Sequence, residues 1–172
     1  VGRFGPVVFT FVKVIGVLGV LPALAAMGIA VTGVPSANAD NKRLNDGVVA
    51  NVYTIQQRHG CTGNVKINPQ LTLAAQWHAD DVLNNRELDG DIGSDGSTVQ
   101  GRAKAAGFTG IVSETVAINP ALAINGVEIM NQWYYRPDYM AIMSNCANTQ
   151  LGVWSENSLD RSVVVAIYGQ PG

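Results

Sequence analysis

Asp91-Ile92-Gly93-Ser94-Asp95-Gly96-Ser97-Thr98 is the stretch whose reading decides the fold. Glycine frees the backbone here, and short polar side chains bond to nearby amides, so the stretch reads as a loop. Asp95 is placed to form a turn and Ser97 or Thr98 to cap a helix. That helix runs from Thr98 to Ala106 through Arg102, and Gly107 in Ala105-Ala106-Gly107 ends it. A β-type run from Phe108 to Ala117 follows, centred on Ser113-Glu114-Thr115.

Upstream, Asn68-Pro69 opens a helix with proline at its first position. Leu71, Ala75, His78 and Val82 make one stripe on it, and Ala74, Ala75 and Ala79 let a neighbour approach closely. An earlier helix, capped by Asp46, carries Val48, Val49, Val52 and Ile55 and stops near Gly60. His59 falls at its C-terminal end. Residues 40–47 read as a polar tail. Downstream, Asn119-Pro120 caps a third long helix. Leu122 or Ala123, Val127, Met130 and Tyr134 face one way on it, Trp133 lies beside them, and Gly126 is a weak point. Pro137 ends that helix, and a short amphipathic turn from Asp138 to Met143 leads to Cys146. Two strands close the chain, 150–154 and 162–168, joined by a hairpin loop at 157–160. This order predicts an α+β fold, with helices on both sides of a small, mostly antiparallel sheet.

The first 39 residues read as an export signal. Arg3 and Lys13 are the only charges before Asp40, the 21 residues 14–34 are uncharged, and Ala37-Asn38-Ala39 is a small-residue cleavage site. The run is also long enough to cross a bilayer, so an uncleaved N-terminal anchor is the alternative. Val1 at the first position fits a GTG start codon and a bacterial source. Cleavage after Ala39 leaves one domain of ordinary size, expected over 48–172 behind the tail. With Arg3 and Lys13 gone, nine basic residues face 13 acidic ones, a net charge of −4. That balance gives no footprint for nucleic acid and no basic patch for anionic lipid, so no membrane contact is expected after cleavage. Cys61 and Cys146 are the only cysteines. In an exported chain they read as one disulfide, with two free buried thiols as the alternative.

The Gly93-Ser94-Asp95-Gly96-Ser97 loop, Arg102 with Ala105-Ala106-Gly107, and Glu114 resemble the core motifs of the CAP superfamily. This is the family of cysteine-rich secretory, antigen 5 and pathogenesis-related 1 proteins. The His78-Ala79-Asp80-Asp81 helix and the Trp133 helix are similar too, and the resemblance covers roughly 48–169. It implies an α-β-α sandwich and a shallow cleft lined by two histidines and one or two acidic residues. At the first histidine position this chain has Asp91, and the second aligns with Tyr139. The expected cleft residues are therefore Asp91, Glu114 and Tyr139. Zinc favours imidazole or thiolate, so two carboxylates and a phenol argue against a zinc site, and no metal or cofactor is expected. Glu114 is expected to be structural, accepting from backbone amides or the Tyr139 hydroxyl. Asp91 beside it should raise one of the two pKa values by like-charge repulsion.

His78, on an apolar face, reads as a buried, hydrogen-bonded histidine. A triad can be sketched from Ser94 or Ser97, His78 and Asp81, but no nucleophile elbow accompanies it. Trp133, Tyr134 and Tyr135, with Tyr139, are an aromatic group that serves as core or as the wall of an apolar groove. The resemblance implies binding of a lipid or an envelope protein. A hydrolase using the same cleft and a structural envelope protein are the other readings.

Overall fold

The computed structural model describes residues 37–172. The export segment expected over 1–39 lies outside them except for its last three residues. Those three are helical and open α1, Ala37–Arg58. There follow β1 (Lys66–Ile67), α2 (Pro69–Asn84), α3 (Val99–Ala105), β2 (Ile111–Asn119) and α4 (Gly126–Tyr134). The chain ends with α5 (Pro137–Ser144), β3 (Gln150–Asn157) and β4 (Ser162–Gln170).

The four strands lie in the order β1-β3-β4-β2. β1 runs parallel to β3, and the other pairings are antiparallel. β4 is central, and its residues from Ser162 to Gly169 are all buried. Strand alternation sends Val164, Ala166 and Tyr168 to one face and Val163, Val165 and Ile167 to the other. On the first face they meet Val48 and Val52 of α1, Ile129 and Trp133 of α4, and Met143 of α5. On the second they meet Leu71, Ala75 and Val82 of α2 and Ala103 of α3. The expected α-β-α sandwich with a small, mostly antiparallel sheet is therefore present.

Local chemistry sets several boundaries. Asn68 accepts hydrogen bonds from the amides of Gln70 and Leu71, and Pro69 takes the first helical position of α2. Thr98 caps α3 through the amide of Gly101. Gly107, at φ +95°, turns the chain in the left-handed region that a side chain disfavours. Gly152 has a different role. A Cβ there would lie 2.1 Å from the backbone carbon of Leu71, so the first turn of α2 sits directly on β3.

Three boundaries differ from expectation. Residues 40–47, read as a polar tail, belong to α1. The Asn41 amide donates to the Ser155 carbonyl and to Asn157 Oδ1, which ties this polar turn to the end of β3. Asp46, expected as the cap, pairs instead with Lys42 at 2.6 Å. The third long helix starts at Gly126, not at Asn119-Pro120, because β2 continues through Asn119. Asn125 and Glu128 form a reciprocal capping box, so Gly126 opens the helix and is no weak point inside it. The buried face then falls on Ile129 and Trp133, leaving Val127 and Tyr134 exposed. Last, the turn expected after Pro137 is a two-turn helix, α5.

Cys61 and Cys146 form the expected disulfide, across a separation of 85 positions. It joins the end of α1 to the segment after α5. In the chain-entropy model a loop of this length contributes roughly 4–5 kcal/mol. We expect the Cys61→Ser, Cys146→Ser double variant to lose stability by several kcal/mol in urea unfolding. A midpoint within error of the native protein would contradict this.

Candidate functional site

Asp91, Glu114 and Tyr139 line one cleft of about 370 Å³. Asp89, Gly90 and Asp91 form one wall, β2 from Val112 to Glu114 lies at its base, and Arg136, Asp138, Tyr139 and Ile142 form the other wall. Glu114 is buried beneath it, and Asp91 is exposed at the rim.

The Arg102–Glu114 contact builds this geometry. The Arg102 guanidinium, also buried, donates from one nitrogen to both oxygens of Glu114, at 3.0 and 3.2 Å. The same nitrogen donates to the Asp91 carbonyl at 2.7 Å, and the other terminal nitrogen to the Ser97 carbonyl at 2.9 Å. Arg102 thus fastens both ends of the 91–97 loop to β2. His78 Nε2 lies 2.9 Å from the Gly90 carbonyl and 3.4 Å from Glu114 Oε1. A donor is needed toward the carbonyl, so Nε2 carries the proton. Nδ1 is then a buried acceptor with no partner among the described residues.

Burial lowers the His78 pKa from its ordinary value, the Gly90 carbonyl opposes this, and the Arg102 charge adds to the lowering. The imidazole is neutral at pH 7. Burial pushes the Glu114 carboxyl up to about 8, against the pull of Arg102. Asp91 adds to the rise, as expected from the sequence, but burial is the main cause. The Tyr139 hydroxyl does not reach Glu114. It accepts from the Val116 amide at 3.4 Å, and the Arg136 guanidinium stacks 3.6 Å from the Tyr139 ring centre.

The sketched triad is not assembled. Ser94 donates its hydroxyl to Asp81 at 2.6 Å and its amide to the same carboxylate, so serine and aspartate meet without the histidine. Burial raises the Asp81 pKa, but the bonds from Ser94 and Asn85 outweigh it and hold the carboxyl below its usual range. Asp95 accepts from the Ser97 amide and forms the expected turn. His59 sits at the C-terminal end of α1, its Nδ1 2.9 Å from the Ile55 carbonyl.

Of the aromatic group, Trp133 is fully buried in the core. Tyr134 and Tyr135 are exposed and pack edge to face, ring centres 5.5 Å apart. The three do not share one wall, because successive helical residues point about 100° apart. Among the described residues no three His, Cys, Asp or Glu side chains converge as a metal-binding group. The oxygen donors of Asp91, Glu114 and Tyr139 suit zinc poorly, and Glu114 is already committed to Arg102.

A second hollow, of about 630 Å³ and mostly apolar, was not foreseen. It lies between the first turns of α1, residues 122–126, and the end of β3. No local pattern announces it, since its walls come from separate segments of the chain, with the α1 residues more than 70 positions from the others. Arg102 left a fainter signal: a carboxylate on a strand with apolar neighbours needs a buried cation.

The model of the CAP family, the cysteine-rich secretory protein family, matches residues 42–168. The chain belongs to this family. No curated protein matches it. Among solved structures it is similar to an outer surface protein of Borrelia burgdorferi, with TM-score 0.67 and 16% identity, over 77% of this chain and 96% of that one. It is also similar to an extracellular protein of Bacillus anthracis containing an SCP domain, with TM-score 0.61 and 16% identity, over 81% of this chain and 45% of that one. A third is a cysteine-rich secretory protein of Staphylococcus aureus, with TM-score 0.58 and 12% identity, over 76% of this chain and 39% of that one. At these identities the likeness is one of fold.

The pKa directions give a pH dependence with a definite sign. Glu114 holds its proton more tightly folded than unfolded, so its contribution to stability falls as pH rises from 4.5 to about 8. His78 acts oppositely: its lowered pKa lets stability rise with pH up to 6.5, with no change above. Between pH 6.5 and 8 the Glu114 effect stands without opposition from His78. We expect the free energy of unfolding to fall over that window by an amount on the order of 2 kcal/mol, and the melting temperature to fall with it. Glu114→Gln should flatten the slope. A native protein with no slope there would mean that Arg102 keeps Glu114 ionised throughout.

Proposed function

We propose that this chain is an exported CAP domain that holds an apolar ligand, a lipid, in the cell envelope or outside the cell, and performs no chemistry on it. The observation that carries the reading is the 630 Å³ hollow. Its size is in the range of small-molecule sites, and Leu44, Leu122 and Ile124 give it apolar walls. Each methylene moved there from water contributes about 0.8 kcal/mol. Ser155 lines it as well, and its buried hydroxyl lacks a partner among the described residues, which suits a polar head group.

Export is supported by the apolar stretch at 14–34, the Ala-x-Ala site, the disulfide and the family's secretory character. Among the described residues no helix is long and apolar enough to cross a membrane. The Asp91, Glu114 and Tyr139 cleft fits a non-catalytic role. It presents an aspartate and a tyrosine where the family resemblance implies histidines, and its one buried carboxyl is engaged by Arg102.

Gly47 offers a selective test. It lies on α1 at the hollow, and a Cβ there meets nothing within 4 Å. Gly47→Phe should therefore place its ring at the hollow from an unobstructed Cβ, and replacing a helical glycine should not lower the melting temperature. Native mass spectrometry of the protein from its own host should show a lipid-sized adduct that this variant loses. No adduct, together with no uptake of a long-chain fatty acid by the purified protein, would reject the lipid and turn attention to an envelope protein as ligand.

A further inference from the structure

β2 is an edge strand, paired along its length with β4 on one side only. Its other side is closed by side chains from three helices. The Val112 amide donates to Gln100 Oε1 at 3.3 Å, that of Val116 to the Tyr139 hydroxyl at 3.4 Å, and that of Ile118 to Gln132 Oε1 at 3.2 Å. In an antiparallel pair the N–H and C=O of one residue point the same way, and alternate residues point alternately. Val112, Val116 and Ile118 turn away from β4, so Glu114 does too. Among the described residues no side chain caps its backbone. Glu114 is also one of the three strand residues at the cleft, between Asp91 and Tyr139. The uncapped stretch of the edge is thus one residue wide, and it opens into the cleft.

We propose that this gap receives a short extended peptide whose one pairing residue, opposite Glu114, is lysine or arginine between apolar neighbours. Cross-strand partners share a face of the sheet. The residue opposite Glu114 therefore projects to the α2 and α3 side, where the 89–91 loop is held by His78 and Arg102. Asp89 and Asp91 are exposed there and make no ion pair among the described residues. The other acidic side chains at the cleft have partners: Asp138 bonds Arg136, and Glu114 bonds Arg102. The neighbours of the pairing residue project to the opposite side, toward Tyr139 and Ile142. The Gln100 and Tyr139 caps on either side limit the pairing to one residue. This site is separate from the apolar hollow, so either reading can fail while the other stands.

The test is amide NMR of the isotope-labelled protein, titrated with acetyl-Val-Lys-Val-amide. Two control peptides are needed: acetyl-Val-Glu-Val-amide, and the lysine peptide N-methylated at the lysine nitrogen. The expected result is a saturable shift of the Glu114 amide signal and its slowed exchange with the lysine peptide, a weaker response to the glutamate peptide, and none to the N-methylated one. The Asp89→Asn, Asp91→Asn double variant changes only exposed side chains, and should lose about three- to fivefold in affinity for the lysine peptide. Two results would overturn the proposal. One is an unmoved Glu114 signal at millimolar lysine peptide. The other is an equal response to the N-methylated peptide.

Discussion

The Arg102–Glu114 contact is the constraint on which the cleft and its loop depend. Burying a carboxyl and a guanidinium costs several kcal/mol each unless their bonding capacity is filled. Among the described residues Glu114 has two bonding groups near its oxygens, Arg102 at 3.0 Å and His78 at 3.4 Å. Arg102 has donors left over and directs them at the carbonyls of Asp91 and Ser97. The loop thus takes up the terminal donors of the cation that holds the strand's carboxyl, and of the guanidinium nitrogens only Arg102 Nε is left without a partner among the described residues. His78 closes the same circuit from α2 by holding the carbonyl of Gly90. Four successive segments between His78 and Glu114 meet at this contact, and the mouth of the cleft takes its shape from their agreement.

The sheet keeps the two hollows apart. β4 is buried on both faces and gives each helical layer alternate residues. The apolar hollow adjoins the row where Asn157 pairs with Ser162. The cleft adjoins the row where Glu114 pairs with Ile167. Five residues of β4 separate these rows, roughly 17 Å at the usual rise per residue. The hollow belongs to the face covered by α1, whereas the carboxyl of Glu114 turns to the face covered by α2. A ligand in one therefore has no direct contact with the other.

Features set by neighbours in sequence were legible. Asn68-Pro69 opens α2, Thr98 caps α3, Gly107 ends it, and the apolar alternation of 162–168 marks β4. Asp91, Glu114 and Tyr139 line one cleft, and what names them together in the sequence is family resemblance more than any spacing rule. Two misreadings have a common cause. At Asn119-Pro120 a plausible local cap was preferred to the Asn125 and Glu128 capping box, because strand pairing across the sheet extends β2 through Asn119. At 40–47 a polar composition hid a helix that Asn41 anchors to residues 114 and 116 positions away. The apolar hollow was invisible for the same reason. Its walls are ordinary surface until the fold brings them together.

The edge of β2 shows how the same physics closes a sheet and leaves part of it open. An exposed strand edge invites pairing with other chains, and each buried backbone group left without a partner costs about 1–3 kcal/mol. A primary amide is a good substitute for a missing strand, since it carries both a donor and an acceptor. Gln132 uses both on Ile118, at 3.2 and 3.0 Å, and Gln100 spans the Val112 amide and the Gly110 carbonyl. Tyr139 serves a single amide, that of Val116, and offers no second group to the strand's carbonyls. The covering is thus complete where glutamines stand and partial where the tyrosine stands, next to the cleft. At Glu114 the side chain is fully occupied in holding the fold, so recognition there falls to the backbone. A residue made structural by its carboxyl can still be a binding residue through its peptide group.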